Sequence, residues 1–212
     1  MLDLYLFRHG ECEANTHSDM IGGQTNESPL TALGETQARA LGIRLFNERI
    51  RFDRIFSSSA VRALDTARIV CNHIAFNKKM IAVCADLLEL NQGDWQGDKR
   101  SDRYTVACLK EMNILHPDFS APGGESQREV EHRMFRWFFR HGLPEVGLGK
   151  NKETIGIFGH GMAFKCFLRG ILNFSPVMTY KFDLDNTSIT RLTFGREGWR
   201  VKTVNDTAHL HL

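Results

Sequence analysis

Two apolar stretches that each run into a His-Gly step constrain this chain more than anything else in it. Leu4-Tyr5-Leu6-Phe7 enters Arg8-His9-Gly10-Glu11, and Thr154 to Phe158 enters Gly159-His160-Gly161. A short apolar run stopped by glycine reads as a buried strand that ends in a tight turn. Parallel strands align their carboxyl ends, and open α/β sheets bind ligands at that edge. His9 and His160 are therefore expected to converge there. An imidazole is nucleophilic and largely neutral near pH 7, and the guanidinium of Arg8 is a permanent anion ligand. Taken alone, Arg8-His9 would serve equally well as a surface pair closing an edge strand.

The rest of the chain alternates strands and helices. Cys12 to Leu30 is a polar loop with Gly22-Gly23 and Ser28-Pro29 as turn signals. Thr31 caps a helix whose apolar face draws on Leu33, Ala40, Leu41, Ile43, Leu45 and Phe46. Phe52 to Phe56 is a second strand. Ser57-Ser58-Ser59 forms an N-cap cluster before a helix from about Ala60 to His73, with Arg62 in its first turn and Thr66 one turn on. Met80 to Cys84 reads as a third strand, and residues 99–116 as one helix before Pro117. Glu125 to His141 is an aromatic-rich helix, its rings taken as core. Pro144 to Lys152 is a linker, and Met162 to Leu172 a helix. Ser188 to Phe194 and Trp199 to Val204 close the chain as a hairpin. This order predicts an α/β chain with helices on both sides of a mostly parallel sheet and at least one antiparallel strand.

Composition narrows the function classes. The chain has 212 residues, enough for one α/β domain with a sizeable core, and a net charge of +2, too small to point to a nucleic-acid or membrane partner. No apolar run approaches a membrane span, and Met1-Leu2-Asp3-Leu4 lacks a basic leader region. The cysteines, at 12, 71, 84, 108 and 166, are odd in number and scattered, which argues against a disulfide framework or a zinc site and fits the cytoplasm. No cofactor is expected.

At the shared strand edge the sequence gathers Arg8, His9, His160 and Arg62, together with helix N-termini that favour anions. That set suits a phosphoryl group. Transfer to a histidine also needs an acid for the leaving oxygen. Glu89 follows the third strand and precedes the glycine-containing loop Gln92 to Gly97, so it is the candidate.

These residues belong to a longer series. It comprises Arg8-His9-Gly10-Glu11 with Asn15, Leu30-Thr31 with Gly34 and Gln37-Ala38, and Ser57-Ser58 through Arg62-Ala63 and Thr66-Ala67. It continues with Leu87, Glu89, Gly93, Trp95 and Gly97, Pro122 to Ser126, His160-Gly161, Asn186-Thr187-Ser188-Ile189, and Asn205-Asp206-Thr207 with His209-Leu210. In this order and over nearly the whole length, the chain resembles the phosphoglycerate-mutase-like branch of the histidine phosphatase superfamily. The resemblance implies one domain over residues 1–212, folded as a three-layer α/β/α sandwich, and metal-independent chemistry through a phosphohistidine on His9. Arg8, Arg62 and His160 would hold the phosphoryl oxygens, assisted by Asn15 and the Gly161 N–H. Glu89 would be the acid and then the base, and Ser57 would help orient the pocket. Loop 18–28 and segment 98–121 would form the substrate mouth.

Cys12 and Gly159 depart from the usual pattern, which has Ser or Thr at both places. The expected activity is a phosphatase acting on small phosphorylated metabolites. The alternatives are a 2,3-bisphosphoglycerate-dependent phosphoglycerate mutase, with Lys99, Arg100 and Arg103 as its extra cations, and a non-catalytic phosphate-binding regulatory module. A homodimer is left open.

Overall fold

The computed structural model describes residues 1–149 and 151–211. In chain order the elements are β1 (Leu2–Arg8), α1 (Glu13–Thr16), α2 (Ala32–Asn47), β2 (Arg54–Ser58), α3 (Val61–His73), β3 (Ala82–Cys84), α4 (Arg100–Arg103), α5 (Val106–Leu115), α6 (Gln127–Arg140), α7 (Leu143–Leu148), β4 (Glu153–Gly159), α8 (Gly161–Leu172), β5 (Ile189–Gly195) and β6 (Gly198–Asp206). The strands form one sheet in the order β3-β2-β4-β1-β5-β6. Strands β1 to β4 are mutually parallel where they pair, while β5 runs antiparallel to both β1 and β6.

Side-chain alternation explains why β1 carries apolar residues on both faces. Leu2, Leu4 and Leu6 point to one face with Ile155 and Ile157 of β4, where α6 and α8 cover them with Trp137, Phe138 and Phe167. Tyr5 and Phe7 point to the other face with Phe158, under Leu41 and Leu45 of α2 and Val70 of α3. Burying each such side chain is worth about 1.5–3 kcal/mol. A one-residue slip of β1 would exchange the two faces and forfeit several of these packings together. The register is therefore held, with Phe7 beside Phe158 and Arg8 beside Gly159. It sets His9 and His160 at neighbouring strand ends, as the sequence predicts.

Several boundaries differ from the sequence reading. Residues 99–116 are two helices, not one: the chain breaks at Tyr104, and the Thr105 side chain caps α5 by accepting from the Cys108 N–H. The expected linker at 144–152 holds most of α7, with Pro144 in its first turn, where a missing N–H costs nothing. Ser57 and Ser58 lie in β2, and the cap residue of α3 is Ala60. Of the residues assigned to the apolar face of α2, Leu33, Ile43 and Phe46 are exposed; Ala38, Leu41 and Leu45 make the contact. Among the aromatics of α6, Trp137 and Phe138 are buried and Phe139 is exposed. Strand β3 is short, starting at Ala82 because Lys78–Met80 forms a 3₁₀ turn. No helix among the described residues is long and apolar enough to cross a membrane.

Candidate active site

The carboxyl ends of β1 and β4 bring the two histidines together. The His9 N–H donates to the Gly159 carbonyl at 3.0 Å, and the two imidazole centroids are 5.2 Å apart. His9 Nδ1 lies 2.7 Å from the Gly10 carbonyl oxygen. A carbonyl only accepts, so Nδ1 carries the proton and Nε2 the lone pair. Nε2 faces Arg62, whose Nε–H donates to it at 3.2 Å. Burial holds the His9 pKa well below the usual histidine range, and the charges of Arg8 and Arg62 push it the same way. The ring is therefore neutral, with its lone pair on Nε2.

The turn after β1 is fixed from two sides. The Gly10 N–H donates to the Thr66 hydroxyl at 2.9 Å, and that hydroxyl donates to the Arg62 carbonyl at 2.7 Å, so α3 positions the turn and the arginine together. On the other side the turn touches α2. A Cβ at Gly34 would lie 1.9 Å from the Glu11 carbonyl oxygen, and one at Gly10 would lie 2.5 Å from that of Gly34. Only glycine permits this approach.

Arg62 is buried and Arg8 half-buried, and backbone carbonyls anchor both guanidiniums. Arg62 donates to Thr25 at 2.6 Å and Gly23 at 3.1 Å, and Arg8 donates to Leu184 at 2.7 Å. Burial lowers both pKa values, but a guanidinium stays charged in a protein. The Ser58 hydroxyl lies 2.8 Å from His160 Nε2 and accepts from the Ala60 N–H at 3.3 Å. The Ser58 proton has no other acceptor among the described residues, so it goes to Nε2, which leaves His160 Nδ1–H as a donor. Burial is the main cause that lowers the His160 pKa, and Arg62 adds to it. His160 Nδ1 and Arg8 Nε are both buried and have no hydrogen-bond partner among the described residues. Buried donors of this kind need an explanation, and the oxygens of a tetrahedral anion supply one.

Glu89 is held more firmly than a loop carboxylate. Its Oε1 accepts from the Leu90 N–H at 2.8 Å and the Ala163 N–H at 2.9 Å, and its Oε2 from the Met162 N–H at 3.1 Å. It therefore caps α8, the helix that begins directly after His160. Arg133 of α6 fixes the backbone behind it, donating to the carbonyls of Asp86 and Glu89 at 2.8 and 2.9 Å while paired with Glu125 at 2.8 Å.

The remaining candidates are placed as follows. Asn15 Oδ1 accepts from Asn186, whose amide also donates to the His9 carbonyl at 2.9 Å. Gly161 opens α8 beside Arg8, where a Cβ would lie 3.6 Å from the Arg8 Nε. The Ser57 hydroxyl does not reach the histidines; it donates to the Ser58 carbonyl at 2.9 Å, and Ser58 makes the contact with His160. Cys12 is buried, with its thiol 3.4 Å from Asn15 Oδ1. Gly159 has a local cause: a Cβ there would lie 2.7 Å from the Phe164 ring. Beyond the fixed floor opens a cavity of about 540 Å³, walled among others by Asn15, Gly23, Glu89, Arg100, Met112 and Tyr180. The sequence reading gave Ser58, Arg133 and Asn186 no role in the site. Strand parity would have separated Ser58 from Ser57. Arg133 carries no local signal, because its partners lie far away in the chain.

Known proteins share the fold over nearly the whole chain. A probable phosphoglycerate mutase GpmB of Salmonella choleraesuis (strain SC-B67) is 30% identical over 221 aligned positions, which span 99% of this chain and 95% of that protein. The phosphoserine phosphatase of Entamoeba histolytica, solved in complex with 3-phosphoglyceric acid, superposes with a TM-score of 0.80 at 29% identity, covering 99% of this chain and all of that one (100%). The α-ribazole phosphatase of Shigella flexneri, at 21% identity, shares the fold with a TM-score of 0.79 over 97% of this chain and 96% of its own. The family profile described as histidine phosphatase superfamily (branch 1) matches residues 4–207, and the chain belongs to that superfamily.

Proposed function

We propose that the protein is a phosphatase that hydrolyses small phosphomonoesters through a phosphohistidine on His9. The observation that carries this reading is the buried, neutral His9, with Nδ1–H tied to the Gly10 carbonyl and the Nε2 lone pair beside Arg62. In the first step Nε2 attacks phosphorus and the bond to the ester oxygen breaks. Protonated Glu89 gives its proton to that oxygen, and the alcohol leaves. In the second step water attacks the phosphoryl group, Glu89 takes a proton from it, and the P–N bond breaks to return the lone pair to Nε2. Arg8, Arg62, His160 and the Gly161 N–H meet the oxygens throughout, with Asn15 at the rim. Their value lies in being oriented before charge develops on the phosphoryl group. To let Nε2 attack, Arg62 exchanges its bond to His9 for one to a phosphoryl oxygen. Ser57 acts at a distance, by fixing the strand end that carries Ser58.

Loop 18–28 and segment 98–121 supply the mouth. Ile21, Gly22 and Gly23 from the first and Arg100 to Ala121 from the second contribute to the cavity wall. The five free cysteines fit a reducing compartment such as the cytoplasm.

The mutase reading has the named relatives in its favour. It needs cations for a second phosphate. Arg100 lines the cavity, but Arg103 is paired with Asp98 at 2.6 Å, and Lys99 is exposed and outside the wall. The phosphatase reading therefore stands first.

The test is phosphate release from p-nitrophenyl phosphate and metabolite monoesters with EDTA present, alongside mutase turnover of 3-phosphoglycerate. His9→Ala is expected to lower kcat by about 10⁵-fold or more, as losing a covalent nucleophile does. Acid-labile phosphate should appear on the wild type and not on the variant. Hydrolysis that survives in His9→Ala would falsify the assignment of the nucleophile.

A further inference from the structure

The cavity beyond Glu89 differs in character from the floor. Its wall carries Tyr104, Leu109, Met112, Phe119, Met162 and Tyr180. The aromatic side chains form two packed groups: Trp95, behind the wall, packs on Tyr104 and Phe119 at centroid distances of 5.9 and 5.8 Å, and His116 on Tyr180 at 5.6 Å. Arg100 is the one Lys or Arg among the described lining residues, and it is partly engaged, with Nε donating to the Ser18 carbonyl at 3.0 Å and its guanidinium 5.8 Å from the Tyr104 ring centre. Two carboxylates, Glu89 and Glu125, stand in the same wall. His116 also lines the cavity, and both of its ring nitrogens are buried without a partner among the described residues. Burial, with Arg169 nearby, holds its pKa below the usual histidine range, so the ring is neutral and offers one donor and one acceptor.

Resting on the phosphatase reading, we infer that this cavity selects phosphomonoesters whose alcohol is uncharged, bulky and ring-bearing, with a polar group that meets His116. The volume of about 540 Å³ suits such a group, since sites for drug-sized ligands run about 300–1,000 Å³. Apolar and aromatic walls reward the burial of a ring. A leaving group with a carboxylate or a second phosphate would lose water and gain at most one partly engaged arginine from the wall.

The experiment compares kcat/KM for 1-naphthyl phosphate and 3-phosphoglycerate, and binding of 1-naphthylmethylphosphonate and 3-phosphonopropionate by calorimetry. Wild type is expected to favour the naphthyl ester by about 100-fold, the scale on which an apolar pocket discriminates, and to bind the naphthyl phosphonate more tightly. Met112→Lys puts a cation into the wall from a helix that buries none of its residues, and should cut the preference at least tenfold. His116→Phe should weaken 8-hydroxy-1-naphthyl phosphate relative to the unsubstituted ester, and His116→Gln should restore it. A preference for 3-phosphoglycerate, or phosphonate affinities in the opposite order, would overturn the inference and leave the phosphatase reading standing. An absence of hydrolysis together with tighter naphthyl phosphonate binding would overturn the phosphatase reading and keep the cavity's preference.

Discussion

The floor and the roof of the site are built on opposite principles. The floor is set where two central strands end, and each of its groups is held by parts of the chain distant in sequence: His9 by Gly159 and Arg62, Glu89 by α8, Arg133 by the backbone before Glu89. The roof is α4 and α5, two short helices in which no residue is buried and where Val106 and Ile114 face water. On the proposed reading, chemistry that must be repeatable sits on over-determined positions, while selection of the alcohol falls to a segment in which no residue is buried. Substitutions should therefore move stability and kcat together on the floor, and specificity alone on the roof.

The largest effect is expected at Arg133. Arg133→Met leaves the Glu125 carboxylate partly buried without its partner and frees two carbonyls, which should cost about 3–5 kcal/mol in urea unfolding. Because Glu89 loses its backing, kcat should fall as well. Unchanged kcat in the folded variant would separate the fold from the site. Thr66→Val comes next. It removes the acceptor for the buried Gly10 N–H, a loss of about 1–3 kcal/mol, and should lower kcat, with Thr66→Ser restoring both in the same assays.

A pH effect of smaller size separates the terminal hairpin from the floor. Burial, aided by Arg44, pushes the His209 pKa down to about 4 from 6.5, and its Nε2 lies 3.0 Å from the Thr187 hydroxyl. The unfolded chain thus binds this proton more readily than the folded one, so stability rises with pH through this window. The contribution of His209 is complete above pH 6.5 and is lost as pH falls towards 4. His209→Asn should flatten the Tm–pH curve there relative to wild type; His9 and His160 contribute in the same direction and account for what slope remains. The smallest effect belongs to the roof: Ile114→Ser, at a residue 80% exposed, should change stability by less than about 0.5 kcal/mol in the same unfolding assay. A larger change would mean that α5 is part of the floor's scaffold after all.

Much of this arrangement was legible in the sequence, and what was not had a common cause. The strand ends at His9 and His160, the Arg62–Thr66 spacing on α3 and the position of Glu89 are local patterns, and local patterns survive in a linear reading. A run of three serines hides strand parity, and neighbouring residues of a strand face opposite sides, so the sequence points to Ser57 where Ser58 makes the contact. The break at Tyr104 was missed because Thr105 is a weak marker inside an otherwise helical stretch. Arg133 was invisible, since its task is defined only by Asp86, Glu89 and Glu125, which the fold brings to it. The capping of α8 by Glu89 is of the same kind: a side chain 73 residues away does what a local Ser or Asp ordinarily does.

The hydrogen bond from Arg62 to His9 also bears on what the resting protein can be damaged by. A neutral imidazole with a free lone pair is open to acylating and alkylating reagents. Here Arg62 occupies that lone pair; on the proposed mechanism a tetrahedral anion draws the guanidinium away, so His9 should resist stray electrophiles at rest, and the anion to be cleaved would itself expose the attacking atom.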